Sequence, residues 1–247
     1  MFYYKQKILF FYITPRSLNC FIFMKKEVCT MSIAKRKNLV SRSMYKYKCP
    51  YKMEPNTITI HNTDNNASAF SEVAYMRRNT HLTSFHWAVD EKEAVQGIPT
   101  TRNAWHSGDG NGDGNRKSIS VEICRSTGSL SIFKKCEKNA AIFVAELLHH
   151  RNWGVDRLRR HYDWSGKDCP HMTMKLGWLR FVNMVQEELY KLDDIKVVTK
   201  KTYPRKKNNL LSKKYSPLKV GTKVHVYKET KHWSYTNYKW IFKKRLK

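Results

Sequence analysis

Two periodicities run through the middle of the chain. Residues 57–61 alternate strictly, with Ile58 and Ile60 on one face and Thr57, Thr59 and His61 on the other, the two-residue repeat of a half-buried strand. The alternation returns over 84–90, where Phe85, Trp87 and Val89 oppose His86, and over 118–124, where Ile119, Val121 and Ile123 oppose Ser120, Glu122 and Cys124. A short partner for the second strand is expected at 94–98. Helical spacing occurs at 69–78 through Phe70, Val73, Ala74 and Arg77, and at 137–152 through Ala140, Phe143, Val144, Leu147 and Leu148. It occurs again at 173–191 through Leu176, Leu179, Val182, Val185 and Leu189. Strands mixed with helices of this length predict one α/β unit over 51–192, a mixed central sheet flanked by helices. If the apolar strand faces pack on helices, His61, His86 and Glu122 rise together from the other face of the sheet.

Beyond residue 194 the helical period stops. Short β-favouring runs at 195–199, 223–227, 233–236 and 239–242 alternate with turns, which predicts a small all-β unit over 195–247. Its aromatics Tyr227, Trp233, Tyr235, Tyr238 and Trp240 are interleaved with lysines. Such residues stack on sugars or bases, or fill the core of a small barrel.

Charge sharpens this division. The net charge is +27, but residues 1–50 hold 11 Lys and Arg against one acid and residues 195–247 hold 17 against one, so the middle is nearly neutral. Basic ends attract polyanions in general, and composition does not choose among nucleic acid, anionic lipid and an acidic wall polymer. Hydrophobic residues at 41% and aromatics at 13% support a packed core and exclude a disordered chain. No apolar run reaches the roughly 18 residues needed to span a bilayer. Residues 1–50 read as a basic leader or arm. Its apolar run at 8–13 is cut by Pro15 and Arg16 with no small-residue cleavage site after it, and Met31 is an alternative start. Six scattered cysteines without a C-x-x-C pair read as mostly reduced thiols of a cytosolic product.

The chemistry concentrates at 161–171, H-Y-D-W-S-G-K-D-C-P-H, which brings His161, Lys167 and Cys169 within nine residues. An imidazole and a thiolate this close can reach one zinc ion, and three protein ligands plus water is the pattern of a catalytic site. The segment lacks a third ligand and a general base, for which the polar strand face offers His61, His86 and Glu122. The glycine-rich loop at 108–114 starts like a calcium loop at Asp109. Ser120 stands where the bidentate glutamate belongs, however, and no helix is expected after it. No βαβ unit surrounds it either, so it is no dinucleotide fingerprint and reads as a flexible rim. His149, His150 and His171 read as outside the chemistry.

Six stretches then occur in order: I-T-I-H-N-T at 58–63, S-F-H-W-A-V-D at 84–90, Q-G-I-P at 96–99, N-A-W-H-S-G-D-G-N-G at 103–112, S-I-S-V-E-I-C at 118–124 and W-S-G-K-D-C-P-H at 164–171. Together they resemble the zinc-dependent N-acetylmuramoyl-L-alanine amidases of phage endolysins and autolysins, which share the fold of the peptidoglycan-recognition proteins. The resemblance implies that His61, His161 and Cys169 bind zinc, with Glu122 the catalytic carboxylate and Lys167 a second catalytic group. His86 and His106 are candidates for lining the substrate groove. Tyr162 and Asp163 depart from residues common in relatives, away from any ligand position. V-G-T-K-V-H-V-Y at 220–227 and Y-K-W-I at 238–241 resemble a bacterial SH3-type wall-binding domain. The implied partner is bacterial peptidoglycan, with anionic wall polymers met by the basic C-terminal unit and no specific nucleic acid. The implied location is the cytoplasm until release at lysis, then the wall. A non-catalytic peptidoglycan-binding protein on the same fold is the alternative, and nucleic-acid binding rests on charge alone.

Overall fold

A computed structural model describes residues 32–192 and 194–247; the leader expected at 1–30 and the alternative start at Met31 lie outside the described residues. Six strands form the first sheet: β1 (Ala34–Lys37), β2 (Thr57–Asn62), β3 (Trp87–Val89), β4 (Glu93–Gln96), β5 (Ser118–Ile123) and β6 (Leu158–Arg160). They lie in the order β1-β4-β3-β5-β2-β6, parallel throughout except for the β3–β4 hairpin. Helices α1 (Tyr45–Lys48), α2 (Ala69–Arg78), α3 (Asp113–Lys117), α4 (Leu130–Arg151), α5 (Tyr162–Ser165), α6 (His171–Lys175) and α7 (Trp178–Leu192) connect and cover them. A second, antiparallel sheet holds β7 (Asp194–Val197), β8 (Lys223–Glu229), β9 (Trp233–Thr236) and β10 (Lys239–Phe242) in the order β10-β9-β8-β7. The chain is thus a mixed sheet flanked by helices, followed by a small β unit of the SH3-like kind.

The alternation read at 57–61 and 118–124 sets the layers. Ile58, Ile60, Ile119, Val121 and Ile123 pack with Trp87 and Val89 against Phe133, Ala140, Phe143, Val144 and Leu148 of α4 and Phe181, Val185 and Leu189 of α7. Truncating one such buried side chain to alanine costs about 2–5 kcal/mol, so this face anchors the unit. On the opposite face α2 buries Ala69, Val73 and Met76 over Ala88, Val95 and Cys124. Between that cluster and β6 the polar ends of β2 and β5 are left for the site.

Several expectations shift. Helix α4 begins at Leu130, not 137, because Ser129 caps it by accepting from the Ile132 N–H. The apolar stripe reaches back through Cys136 to Phe133, both fully buried, one turn earlier than expected. The helix expected at 173–191 is two: Gly177, at φ +105, breaks it between α6 and α7, and Leu179 is 74% exposed. In α2 Val73 is buried as expected, but Ala69 and Met76 join it in place of Phe70 and Arg77, and Phe70 faces outward under the Arg36 guanidinium. Phe85 precedes β3 and packs on the α2 side, away from Trp87. A short helix, α3, does follow the glycine-rich loop.

Part of the segment read as a basic arm contributes to the sheet. β1 pairs in parallel with β4, and Lys35 meets Glu146 of α4 at 2.6 Å. Lys48 is fully buried, donating to Asn79 Oδ1 at 2.8 Å, to the Thr83 carbonyl at 3.1 Å and to the His81 carbonyl. An ammonium has three donors and here all three are matched, which ties residues 79–83 to the N-terminal segment. No helix among the described residues is long and apolar enough to cross a membrane.

Candidate active site

His61 and Glu122 are register partners on the parallel strands β2 and β5, so both side chains leave the sheet on the same face. His161 follows β6, the next strand over. Its neighbours are held by the sheet itself: Trp164 Nε1 donates to Thr59 Oγ1 at 2.9 Å. Gly166, at φ +74, reverses the chain after α5, and the Tyr162 N–H closes the loop on the Cys169 carbonyl at 2.9 Å. Asn62 completes the clasp, its Oδ1 accepting from the Thr173 N–H at 3.0 Å and its Nδ2 donating to Thr173 Oγ1 at 3.2 Å. Cys169, just before α6, is therefore carried to the end of β2.

The result is convergence of three donor atoms. His61 Nδ1 lies 3.2 Å from His161 Nδ1 and 3.8 Å from Cys169 Sγ. Ligand atoms of the three residues all fall within 4.8 Å of one another, and all three side chains are buried. Glu122 Oε1 stands 3.9 Å from His61 Nδ1. One ring proton cannot serve a nitrogen and a sulfur on two sides at once, whereas a cation between them satisfies every lone pair. Two imidazoles and a sulfur are the donor set of a borderline-soft divalent metal, so the residues present fit one.

Orientation of His61 comes from the far side of its ring, where Nε2 meets His106 Nδ1 at 3.0 Å. A ligand imidazole whose second nitrogen is engaged in this way has its tautomer and direction fixed. His106 is itself held by the glycine-rich loop, because Asn115 Oδ1 accepts from the His106 and Ser107 N–H groups at 2.7 and 2.8 Å. Asp109 accepts in turn from the Gly114 and Asn115 N–H groups. The loop expected to be a flexible rim is thus a braced support, and Asp109 is spent on α3.

Burial dominates the electrostatics. It drives His61 well below the usual imidazole range, with His106, His161 and Lys167 adding to the effect. It lowers His161 too, with Lys167 contributing. It pushes Glu122 up to about 8, reinforced by Glu72 and opposed by Lys167. The Cys169 thiol rises to about 12 by burial, then by the Glu122 charge. Neutral imidazoles are in the form that binds metal, and a thiol held this high ionises only against a strong positive charge.

Glu122 and Lys167 sit where two depressions meet. One, of about 490 Å³, is lined by His61, Trp105, His106, His161 and Cys169; the other, of about 230 Å³, extends over Asn65, Glu72, Tyr75 and Phe85. Thr83, on the segment that Lys48 anchors, lines both depressions, and Leu82 beside it lines the larger.

His86 departs from its expected role. It is completely buried, its Nε2–H donates to the Arg102 carbonyl at 2.9 Å and its Nδ1 accepts from the Ser120 N–H at 3.0 Å, with its pKa lowered to about 4 by burial. Neither nitrogen is left for a substrate, so it braces the sheet instead. His106 lines the cavity but is spent chiefly on His61. His149, His150 and His171 lie outside the metal-capable cluster. The residues that position the site and were not singled out beforehand are Asn62, Thr173, Trp164, Asn115 and Lys48. Asn62 and Trp164 do fall inside the stretches quoted at 58–63 and 164–171, but nothing in the pattern assigned them a role.

Comparison with known proteins agrees with this geometry. The family model described as N-acetylmuramoyl-L-alanine amidase matches residues 51–172. The chain is 52% identical over 189 residues to the N-acetylmuramoyl-L-alanine amidase CwlA of Bacillus subtilis (strain 168), covering 75% of this chain and 70% of that protein. It is 53% identical over 161 residues to the N-acetylmuramoyl-L-alanine amidase XlyB of the same organism, covering 64% of this chain but only 51% of that protein. Among solved structures, PlyL superposes with a TM-score of 0.61 at 50% identity, covering 63% of this chain and 98% of that one.

Proposed function

The chain belongs to the N-acetylmuramoyl-L-alanine amidase family, and from that premise we propose that it hydrolyses the amide between N-acetylmuramic acid and L-alanine in peptidoglycan, using zinc held by His61, His161 and Cys169. The convergence of those three donors beside Glu122 is the observation that supports this reading most directly. Bound there, zinc would supply Lewis acidity, polarising the amide carbonyl and acidifying a water molecule. Glu122 is assigned the proton: with a cation on the neighbouring donors to offset its burial, its carboxyl would ionise, take a proton from the attacking water and return it to the departing nitrogen, an otherwise poor leaving group. Lys167, exposed on the same cavity, is assigned the negative charge that develops on the carbonyl oxygen. His106 holds His61 in its productive tautomer. A complete donor set argues against the non-catalytic alternative.

The catalytic unit is taken as 51–192 together with the β1–α1 segment that packs on it, and 195–247 as the wall-binding unit. The excess of lysine in the latter suits retention on anionic wall polymers. The enzyme is assigned to the cytoplasm until lysis frees it to act on the wall, as the resemblance to phage endolysins implies.

The test is hydrolysis of purified walls followed by counting new amino termini and new reducing sugars. Active protein should release amines without reducing ends, and a chelator should stop it. Glu122→Gln should be inactive by at least about a hundredfold while retaining one zinc per chain. Amine release that survives both treatments would reject the mechanism.

A further inference from the structure

A second cavity, of about 580 Å³, lies away from the amide-cleaving groove, at the seam between the two units. The catalytic unit contributes the end of α4. There Asn152 adopts a left-handed conformation, φ 54 and ψ 42, and stops the helix. The Trp153 N–H is then tied back to the Leu148 carbonyl at 3.0 Å, so that Arg151 and Trp153 face the C-terminal unit. Across the gap stand Tyr235 and Trp240 of β9 and β10, their rings 5.1 Å apart. Lys239 is beside them at φ +80.

The third wall is the long connection between β7 and β8. It has no helix or strand of its own, yet it is sewn in place. Arg205 and Trp240 exchange backbone hydrogen bonds at 2.8 and 3.1 Å, Lys206 N–H meets the Lys213 carbonyl at 3.0 Å, and Tyr215 N–H meets the Pro204 carbonyl at 2.9 Å. This bracing presents Lys206 and Tyr215 to the cavity. Long ordered loops without secondary structure are commonly functional.

The lining is therefore three cations and four aromatic rings with no acidic side chain. Among the described residues Arg151 hydrogen-bonds only neutral oxygens, those of Leu147 and Thr100. Neither lysine is drawn into an ion pair among the described residues. A neutral sugar would leave the cations unanswered, and a bare polyanion would leave the rings unused. A chain of sugar rings carrying negative charges meets both, its C–H faces on the aromatics and its anions on Arg151, Lys206 and Lys239. Single-stranded nucleic acid has the same two features, but an enzyme of peptidoglycan works among polysaccharides. The geometry points to this seam as a binding site for an anionic glycan, formed jointly by both units, so that the ligand holds the catalytic unit against its wall anchor. Only the choice of a wall glycan over nucleic acid rests on the amidase reading.

Titration of the full-length protein with decameric oligogalacturonate tests it, since that probe has a carboxylate on every ring and no amide to cleave. Binding is expected. The double variant Lys206→Glu/Lys239→Asn should weaken it about tenfold or more, asparagine being among the non-glycine residues that best accept a positive φ. Tyr215→Ala and Arg151→Gln should each weaken it several-fold. Cleavage of a small soluble muramoyl peptide should be unchanged in all of them. Dextran binding as tightly would overturn the role of charge. Polyphosphate binding as tightly, and indifferent to Tyr215→Ala, would reduce the seam to a counter-ion surface. Oligothymidylate binding more tightly, and lost in the same variants, would make it a nucleic-acid site. Indifference to Arg151→Gln would remove the catalytic unit from it. Because the probe carries no amide, an inactive amidase leaves this result intact, and an active amidase that ignores the probe defeats the seam alone.

Discussion

At the scale of single residues, the site depends on what stands behind its ligands. His61 can aim Nδ1 at His161 and Cys169 only while Nε2 is held by His106. His106→Ala should therefore leave the fold in place and weaken metal binding by about 10–100-fold, measured by competition with a chromophoric chelator; unchanged affinity would show that His61 needs no such partner. The three converging donors and the carboxylate beside them were legible because each occupies a fixed place in a motif. Their supports were not, since Asn62, Thr173 and Asn115 act through contacts between segments far apart in sequence, which periodicity does not register. His86 misled for the converse reason. Its position on the polar face was read correctly, but whether such a histidine meets solvent or a carbonyl depends on what covers it, here the Arg102 backbone.

At the scale of elements, breaks matter as much as runs. Helical periodicity continues across 173–191, and the break at Gly177 follows from a backbone angle that few other residues accept. A Cβ at Gly177 would meet only Arg180 Cβ, at an ordinary 3.6 Å, so the cost of Gly177→Ala is almost wholly conformational. It should lower stability by about 1–3 kcal/mol in urea unfolding; an unmoved midpoint would mean that α6 and α7 can merge freely. In the second sheet, strands were legible and their fastening was not. Glu229 on β8 takes hydrogen bonds from Lys196 of β7 at 3.1 Å, Ser234 of β9 at 2.7 Å and Lys243 at 2.5 Å. Burial alone would raise its pKa, but Lys243, then Ser234 and Lys196, outweigh that and hold it at about 2. A carboxylate depressed on folding stabilises fully above its unfolded value near 4.5 and ceases to do so as pH falls toward 2. Melting of the second unit, followed by tryptophan fluorescence, should therefore weaken between pH 5 and 2, and Glu229→Gln should flatten that slope. The gain is modest because the pair network is partly exposed. An equal slope in the variant would discount it.

At the scale of the whole molecule, the two units divide the physics between them. Residues 195–247 carry 17 Lys and Arg against one acid, whereas 51–194 are close to balanced. Attraction between an exposed basic surface and an anionic wall is long-ranged, and it is screened as the Debye length falls from about 10 Å at 0.1 M salt to about 3 Å at 1 M. The chemistry proposed for His61, His161, Cys169 and Glu122 is different, because those groups are largely buried and would act over a few ångströms, where mobile ions have little access. Retention on purified walls should accordingly drop steeply between 0.1 and 1 M salt, while the turnover of a small soluble muramoyl peptide should change little. Lysis of intact walls, which needs both, should follow the retention curve. If soluble turnover falls in parallel with retention, the charge of the C-terminal unit must reach the cleavage groove itself, and separate roles for the two units no longer hold. If retention ignores salt, wall recognition must instead come from neutral contacts, with the lysines a solvated surface.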